Sequence, residues 1–309
     1  MSVTRRFREL LAGPDFLIMP GAYDALSARL IEAQGFQAVA AGGYTAVGTM
    51  LAQPDMGQSN MRDYADHYGR ICAAVSLPVY VDADTGFGGV NNVRQMVRAF
   101  EAAGVAGLFI SDQAFPNRCG YLPGKQVVPV EQMVAKLKAA LDARRDPDLV
   151  IVARTDVAAI EGVDAALERC AIYAEAGADM IKPNGLDVRA DLERVLQIPR
   201  PFLATLSQAA GAARIDFAEL ATIGVRGATL PSISLFAAAA GVRRALAALK
   251  RHNSLKAVEA DLLPLEDYYA LVGLTEMVAR EERYDQEAQT LLASRSATAA
   301  TRRLVGGSP

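Results

Sequence analysis

The stretch VDADTGFGG places Asp82 and Asp84 two residues apart at the end of a β-rich run. Strand alternation puts both carboxylates on one face and Ala83 on the other. Such a pair suits a hard cation, Mg2+, that keeps several waters; the competing role is a cap on the following turn. Asp55, in AQPDMGQ, is an outer partner for the same ion or an ordinary turn aspartate. The run LVIVARTD carries Arg154 near its end. Its guanidinium can grip a substrate carboxylate through two parallel hydrogen bonds or pair structurally with a neighbouring aspartate. In MIKPN, Lys182 and Asn184 share one face. A lysine facing inward is costly unless paired or used. Three roles stay open for it: a Schiff base, a grip on a substrate anion, or neutralisation of Asp82 and Asp84. Cys119 lies in the loop of FISDQAFPNRCGYLPGK, as a packing residue or a proton donor. His67 and His252 fall in helical segments, which argues against a histidine-centred site.

These residues need elements to hold them. Short β-rich runs occur at 16–20, 38–43, 78–84, 107–112, 149–156, 180–184, 202–206 and 227–231. Between several of them lie amphipathic stretches closed by a glycine at the helix end: Gly35, Gly104 and Gly177. Eight strands alternating with helices imply parallel pairing and a (β/α)8 TIM barrel, with a doubly wound sheet as second choice. No GxGxxG follows a strand. In a barrel the strand ends gather at one mouth, where Asp82, Asp84, Arg154, Lys182 and Asn184 then converge. Residues 1–293 read as one barrel domain with a C-terminal helical extension, and 294–309 as a loose tail. The alanine-rich helix at 235–250 follows the eighth strand, and 261–284 adds apolar helical surface beyond the barrel, which suggests subunit contacts or a cap on the barrel floor.

With 51% hydrophobic and 22% charged residues and a net charge of -3, the chain reads as globular, with no electrostatic case for nucleic acid or an anionic membrane. Three scattered cysteines without a CxxC argue against a disulfide scaffold. No apolar run suits a membrane helix or signal peptide, so a cytoplasmic location is the default.

In this order and spacing, MPGAYDALSARLIEAQGF, VDADTGFGG, DQAFPNRCGYLPGK and VARTD resemble the isocitrate lyase and phosphoenolpyruvate mutase superfamily over roughly residues 10–250. The short bacterial members, methylisocitrate lyase-like and carboxyphosphonoenolpyruvate phosphonomutase-like, are the nearest in appearance. The resemblance implies a barrel whose eighth helix is exchanged between subunits, a dimer of dimers, Mg2+, and chemistry on 2-oxo or 2-hydroxy acids through a pyruvate-like enolate. It assigns Asp82 and Asp84 to the metal with Asp55 outside them, Arg154 to the substrate, and Gly42 and Gly43 to backbone contacts with the substrate carboxyl and oxo groups. It makes Cys119 with Gly120 the mobile loop, the thiol protonating the enolate with help from Arg118. The chain departs from the family pattern at Ala41, Ser111, Tyr121, Lys182 and Asn184. Glutamates are lost at 111 and 184 and an ammonium is gained at 182, moving the pocket charge in the positive direction. This implies either a weakened Mg2+ site partly replaced by Lys182, or a substrate more negative than methylisocitrate.

The function so implied is a Mg2+-assisted carbon–carbon lyase acting on a substituted 2-hydroxy dicarboxylate. Cys119, Arg154 and Lys182 are its catalytic candidates, and Gly42, Gly43, Gly120, Tyr121 and Asn184 line its substrate site. The alternatives are a phosphonomutase, an oxaloacetate decarboxylase or a hydrolase acting on an oxo acid or phosphonate, a Schiff-base aldolase through Lys182, and a non-catalytic binding protein.

Overall fold

Each of the eight apolar runs is a strand in the computed structural model, which describes residues 1–186, 188–207 and 215–305, with no side chains described beyond 295. They are β1 (Leu17–Pro20), β2 (Val39–Ala41), β3 (Val79–Asp82), β4 (Gly107–Ser111), β5 (Val150–Thr155), β6 (Met180–Pro183), β7 (Leu203–Thr205) and β8 (Gly227–Leu230). Hydrogen-bonded neighbours run β2-β3-β4-β5-β6 and β1-β8-β7. Parallel bridges from Gly21 to Ala40 and from Ile181 to Phe202 join the two groups. Ala22 N–H donates to Ala40 O at 2.8 Å, and Ile181 N–H to Pro201 O at 3.3 Å. Every pairing is parallel, so the ring is a (β/α)8 barrel.

Parallel neighbours need crossovers, and helices supply them. Helix α1 (Val3–Ala12) precedes the barrel; α2 (Ala25–Ala33) follows β1, and α3 (Gly43–Leu51) and α4 (Met61–Ala74) follow β2. Then α5 (Val90–Ala102) follows β3, α6 (Val130–Ala143) β4, and α7 (Ala158–Glu161) with α8 (Val163–Glu175) β5. The last are α9 (Arg189–Val195), α10 (Phe217–Thr222) and α11 (Ile233–His252), after β6, β7 and β8. Asp24, in the entry motif, caps α2 by accepting from Ser27 N–H at 2.7 Å. His67 is buried on α4, a helix as the sequence suggests.

The chain divides into two compact units, Met1–Ala247 and Ala248–Pro309, where the sequence suggests one domain to residue 293. The second unit contains α12 (Leu265–Val272) and α13 (Leu274–Val305). Residues 294–305, a candidate loose tail, continue α13; their alanine, arginine and leucine content favours helix. Residues 306–309 lie outside the described residues. Among the described residues no helix is long and apolar enough to cross a membrane.

Strand alternation sorts the core into two layers. Inside the barrel, Met19, Ala40, Tyr80, Phe109, Val152, Met180 and Leu203 pack together, with Phe7 and Leu11 of α1 in the same cluster. Their rings form a column, Phe7 to Tyr80 at 5.8 Å and Tyr80 to Phe109 at 5.5 Å. The opposite strand faces meet the helices, for example Val81, Leu108 and Ile110 with Tyr68, Val97 and Met133. The mouth-side floor is therefore an aromatic ring, Phe109, and the polar residues stand above it.

Candidate active site

The inward-facing mouth residues and the loops beyond them enclose a cavity of about 80 Å3. That is space for on the order of five to eight waters, the size of a small acid rather than a nucleotide. All of Gly42, Gly43, Asp55, Asp82, Asp84, Cys119, Gly120, Tyr121, Arg154, Lys182 and Asn184 line it. The structure thus brings every residue singled out in the sequence to one place. Thr205, the last residue of β7, lines the cavity; residues 208–214 of the loop after it lie outside the described residues.

Asp82 ends β3 and Asp84 follows in the left-handed region at φ +46°. Asp82 accepts from Asp84 N–H at 2.8 Å and from Gly43 N–H at 3.3 Å. Asp84 accepts from Asn117 Nδ2 at 2.9 Å. Burial pushes both carboxyls upward; for Asp84, repulsion from Asp82 and Asp55 adds to it, while Arg154 partly offsets it for Asp82. Neither has a cationic side chain within 4.0 Å among the described residues. Beside them Asn117 Oδ1 is buried without a hydrogen-bond partner, while the Tyr64 hydroxyl bears on Asp84. Buried carboxylates lacking a counter-ion, next to an unpartnered oxygen, fit a hard cation. No group of three His, Cys, Asp or Glu side chains is placed to hold a metal among the described residues, so the fit is to a cation that retains waters. Asp55, pushed up to about 6 by burial and Asp82, stands beside the pair.

The loop between β4 and α6 closes the mouth. Gln113 clamps it, accepting from Arg118 N–H and donating to Arg118 O, both at 3.0 Å. Asn117 ties it to Asp84, and Cys119 N–H donates to Asp55 O at 3.2 Å. A Cβ on Gly120 would lie 2.6 Å from Arg154 Nη2 and 2.7 Å from Asn184 Nδ2, so only glycine lets the loop come down this far. Burial raises the Cys119 thiol, and nearby Asp55 and Asp82 add to this against Arg154, keeping sulfur protonated. The expected helper Arg118 instead donates to Pro123 O at 3.1 Å; the cation that bears on the thiol is Arg154.

Arg154 does not stand free. Its Nε and Nη2 donate to the two oxygens of Asp156 at 2.8 and 2.9 Å, leaving other donors for a ligand. Burial alone would raise the Asp156 carboxyl, but Arg154 outweighs it and holds Asp156 below the usual range. Ser111 Oγ and Asn184 Nδ2 also donate to Asp156, at 3.0 and 2.9 Å. Ser111 and Asn184, where the family pattern has glutamates, are therefore donors in this network. Asp112 fixes the layer beneath, accepting from Asp156 N–H at 3.0 Å and Arg169 Nη1 at 3.0 Å.

Lys182, 7% exposed, donates to Thr205 Oγ1 and lies 5.2 Å from the centre of the Phe109 ring. Burial and then Arg154 push its ammonium down to about 7, against the pull of Asp82 and Asp156. Gly42, Gly43 and Tyr44 form the N-terminal turn of α3 at the cavity wall, where helical N–H groups lack carbonyl partners. Asp156, Asn117 and Lys125, which donates to Gly120 O, are site residues missed from the sequence. Their one signal is position: each lies in the loop or strand-end stretches that carry the chosen residues.

The family model described as phosphoenolpyruvate phosphomutase matches residues 7–250. The chain is 35% identical to 2,3-dimethylmalate lyase of Eubacterium barkeri over 92% of its own length and 99% of that protein. It is 37% identical to 2-methylisocitrate lyase of Bacillus subtilis (strain 168), over 91% and 87% of the two chains. A crystal structure of phosphonopyruvate hydrolase with oxalate and Mg2+ superposes with a TM-score of 0.83 at 29% identity, covering 92% of this chain and 99% of that one.

Proposed function

The chain belongs to the phosphoenolpyruvate phosphomutase family, within the isocitrate lyase superfamily, and from that membership we propose that it is a carbon–carbon lyase cleaving a substituted 2-hydroxy dicarboxylate. The observation that carries this reading is the Cys119 loop closed over buried Asp82 and Asp84 in a cavity sized for a small acid. Two relatives at 35% and 37% identity, named as lyases of 2,3-dimethylmalate and 2-methylisocitrate, support it.

Arg154, steadied by Asp156, and the N-terminal turn of α3 receive the carboxyl beside the hydroxyl-bearing carbon. Asp82 and Asp84 would hold Mg2+, whose charge, when bound, stabilises oxygen on which negative charge develops. Cleavage converts the hydroxyl to the carbonyl of a 2-oxo acid, releases its proton, and leaves the bonding electrons on the departing carbon. The enolate therefore belongs to the departing acid rather than to the 2-oxo acid. A cavity carboxylate, Asp55, would hold the proton lost from the hydroxyl; Cys119 Sγ–H delivers its own proton to the departing carbon, and the held proton then returns to the thiolate, so the cycle balances. Gly120 lets the loop exclude water while the carbanion exists.

A second reading, hydrolysis of an oxo acid or phosphonate, is favoured by the likeness to phosphonopyruvate hydrolase and by hydroxyl-bearing Ser111 in place of a glutamate. Product analysis by NMR over substituted malates, methylisocitrate, oxaloacetate and phosphonopyruvate, with Mg2+ and with EDTA, separates the two. A 2-oxo acid with an equimolar second acid supports cleavage. Turnover confined to oxaloacetate or phosphonopyruvate overturns it.

A further inference from the structure

The cavity's cations differ in how they are compensated. Arg154 is held by both oxygens of Asp156, and Lys125, behind the wall, lies 3.9 Å from the same carboxylate. Lys182 has no carboxylate within 4.0 Å among the described residues; its hydrogen bond goes to a neutral hydroxyl, Thr205 Oγ1. A buried ammonium in that condition keeps its desolvation cost until an anion arrives.

Its surroundings are those of a receptor for such an anion. Thr205 Oγ1 accepts from Lys182, so its own hydrogen remains to be donated. Thr229 Oγ1 donates to Thr205 Oγ1 at 3.3 Å, with Ala204 O as a second acceptor at 3.4 Å, and so steadies the Thr205 hydroxyl; both hydroxyls line the cavity. Phe109 closes the floor beneath Lys182 and Arg154, at 5.2 and 5.6 Å from its centre, shielding the cations from water on that side. In the ring of strands, β6, β7 and β8 carry this group, while β3, which carries Asp82, stands opposite β7. Lys182 is the register neighbour of Arg154 across β5 and β6, on the side toward β7, so a dicarboxylate whose hydroxyl end meets Asp82, Arg154 and α3 has its other end within reach of Lys182.

We propose that Lys182, with Thr205 and Thr229, binds the second carboxylate of the substrate and makes the enzyme select 2-hydroxy dicarboxylates over 2-hydroxy monocarboxylates. The assignment rests on the reading of the site as one for 2-hydroxy acids. An incoming carboxylate opposes the burial and the Arg154 charge that push Lys182 downward, so it also favours the ammonium form.

Malate and lactate differ by this one carboxylate and serve as probes. Calorimetric titration of each into the Mg2+-loaded full chain at pH 7 is expected to show malate binding at least about thirtyfold tighter. Lys182→Met and Lys182→Gln, both checked for an unchanged circular dichroism spectrum and melting temperature no lower than the parent, should reduce that ratio about tenfold or more. Lactate affinity should stay within about twofold, and Lys182→Arg should keep part of the preference. Equal affinity of the parent for the two acids, an unchanged ratio in both neutral variants, or parallel loss of both ligands overturns the proposal. The lyase reading fails separately: no cleavage of any substituted malate or citrate by the parent, with the malate preference intact and lost in Lys182→Met, removes the lyase and keeps the subsite. Cleavage with an unchanged ratio in Lys182→Met does the reverse.

Discussion

Replacing Lys182 with methionine should stabilise the fold, and by an amount that depends on pH. The ordinary lysine value of 10.5 falls to about 7 in the folded chain, through burial and Arg154, against Asp82 and Asp156. At 1.36 kcal/mol per pH unit this places the penalty of burying the ammonium on the order of 5 kcal/mol. Below pH 7 both folded and unfolded chains hold the proton and the whole penalty is present. Between about 7 and 10.5 the unfolded chain binds a proton that the folded chain has released, so parent stability rises with pH, by about 1.4 kcal/mol per unit. Methionine has no such proton. It forfeits the hydrogen bond to Thr205 and the contact with the Phe109 ring, together about 1 to 2 kcal/mol. The net gain of Lys182→Met is then about 3 kcal/mol near pH 6.5 and about 1 kcal/mol near pH 8.5. Urea unfolding in EDTA at the two pH values, followed by tyrosine fluorescence because the chain has no tryptophan, measures it. A variant less stable than the parent at both, or a difference that does not change with pH, refutes the account of Lys182 as a buried, uncompensated ammonium.

Cys119→Ser, with a far less acidic donor, should lower kcat by about 100-fold or more with KM nearly unchanged, read by steady-state kinetics on the best substrate of the product screen. Gly120→Ala places a methyl group where Arg154 and Asn184 stand, so the loop cannot close fully; kcat/KM should fall about tenfold or more while the melting temperature stays within about 2 °C. Helix α11 has no buried residues over its 20 positions, and Val242 and Leu246 are 58% and 59% exposed. A partner copy that takes up this eighth helix would cover them. On that expectation the parent sediments as an oligomer and Val242→Glu with Leu246→Glu gives a smaller species in sedimentation velocity, whereas an unchanged sedimentation coefficient argues against exchange.

The barrel was legible because its strands are short, β-branched and punctuated, and all eight runs read from the chain pair in order. Asp82, Arg154 and Lys182 were legible for the same reason: strand parity and strand ends locate a barrel mouth without any knowledge of contacts. What escaped was pairing. For Arg154 the sequence leaves a pair with a neighbouring aspartate open beside a grip on substrate; Asp156 makes that pair, and its bidentate geometry depends on side-chain directions that spacing does not encode. Asn117 looks like loop polarity until the loop folds down onto Asp84. Arg118 adjoins Cys119 in sequence, yet its guanidinium turns to Pro123, and the more distant Arg154 bears on the thiol instead.

The central claim is that the mouth of this barrel breaks a carbon–carbon bond and that Cys119 protonates the departing carbon. Running the reaction in D2O with Mg2+ on 2,3-dimethylmalate and 2-methylisocitrate, and following both products by proton and carbon NMR, tests it most directly. The account predicts a 2-oxo acid and an equimolar second acid carrying one deuterium at the carbon that was cleaved, with Cys119→Ser slowing its formation. Absence of any 2-oxo acid from these substrates, alongside turnover of oxaloacetate or phosphonopyruvate, would contradict it.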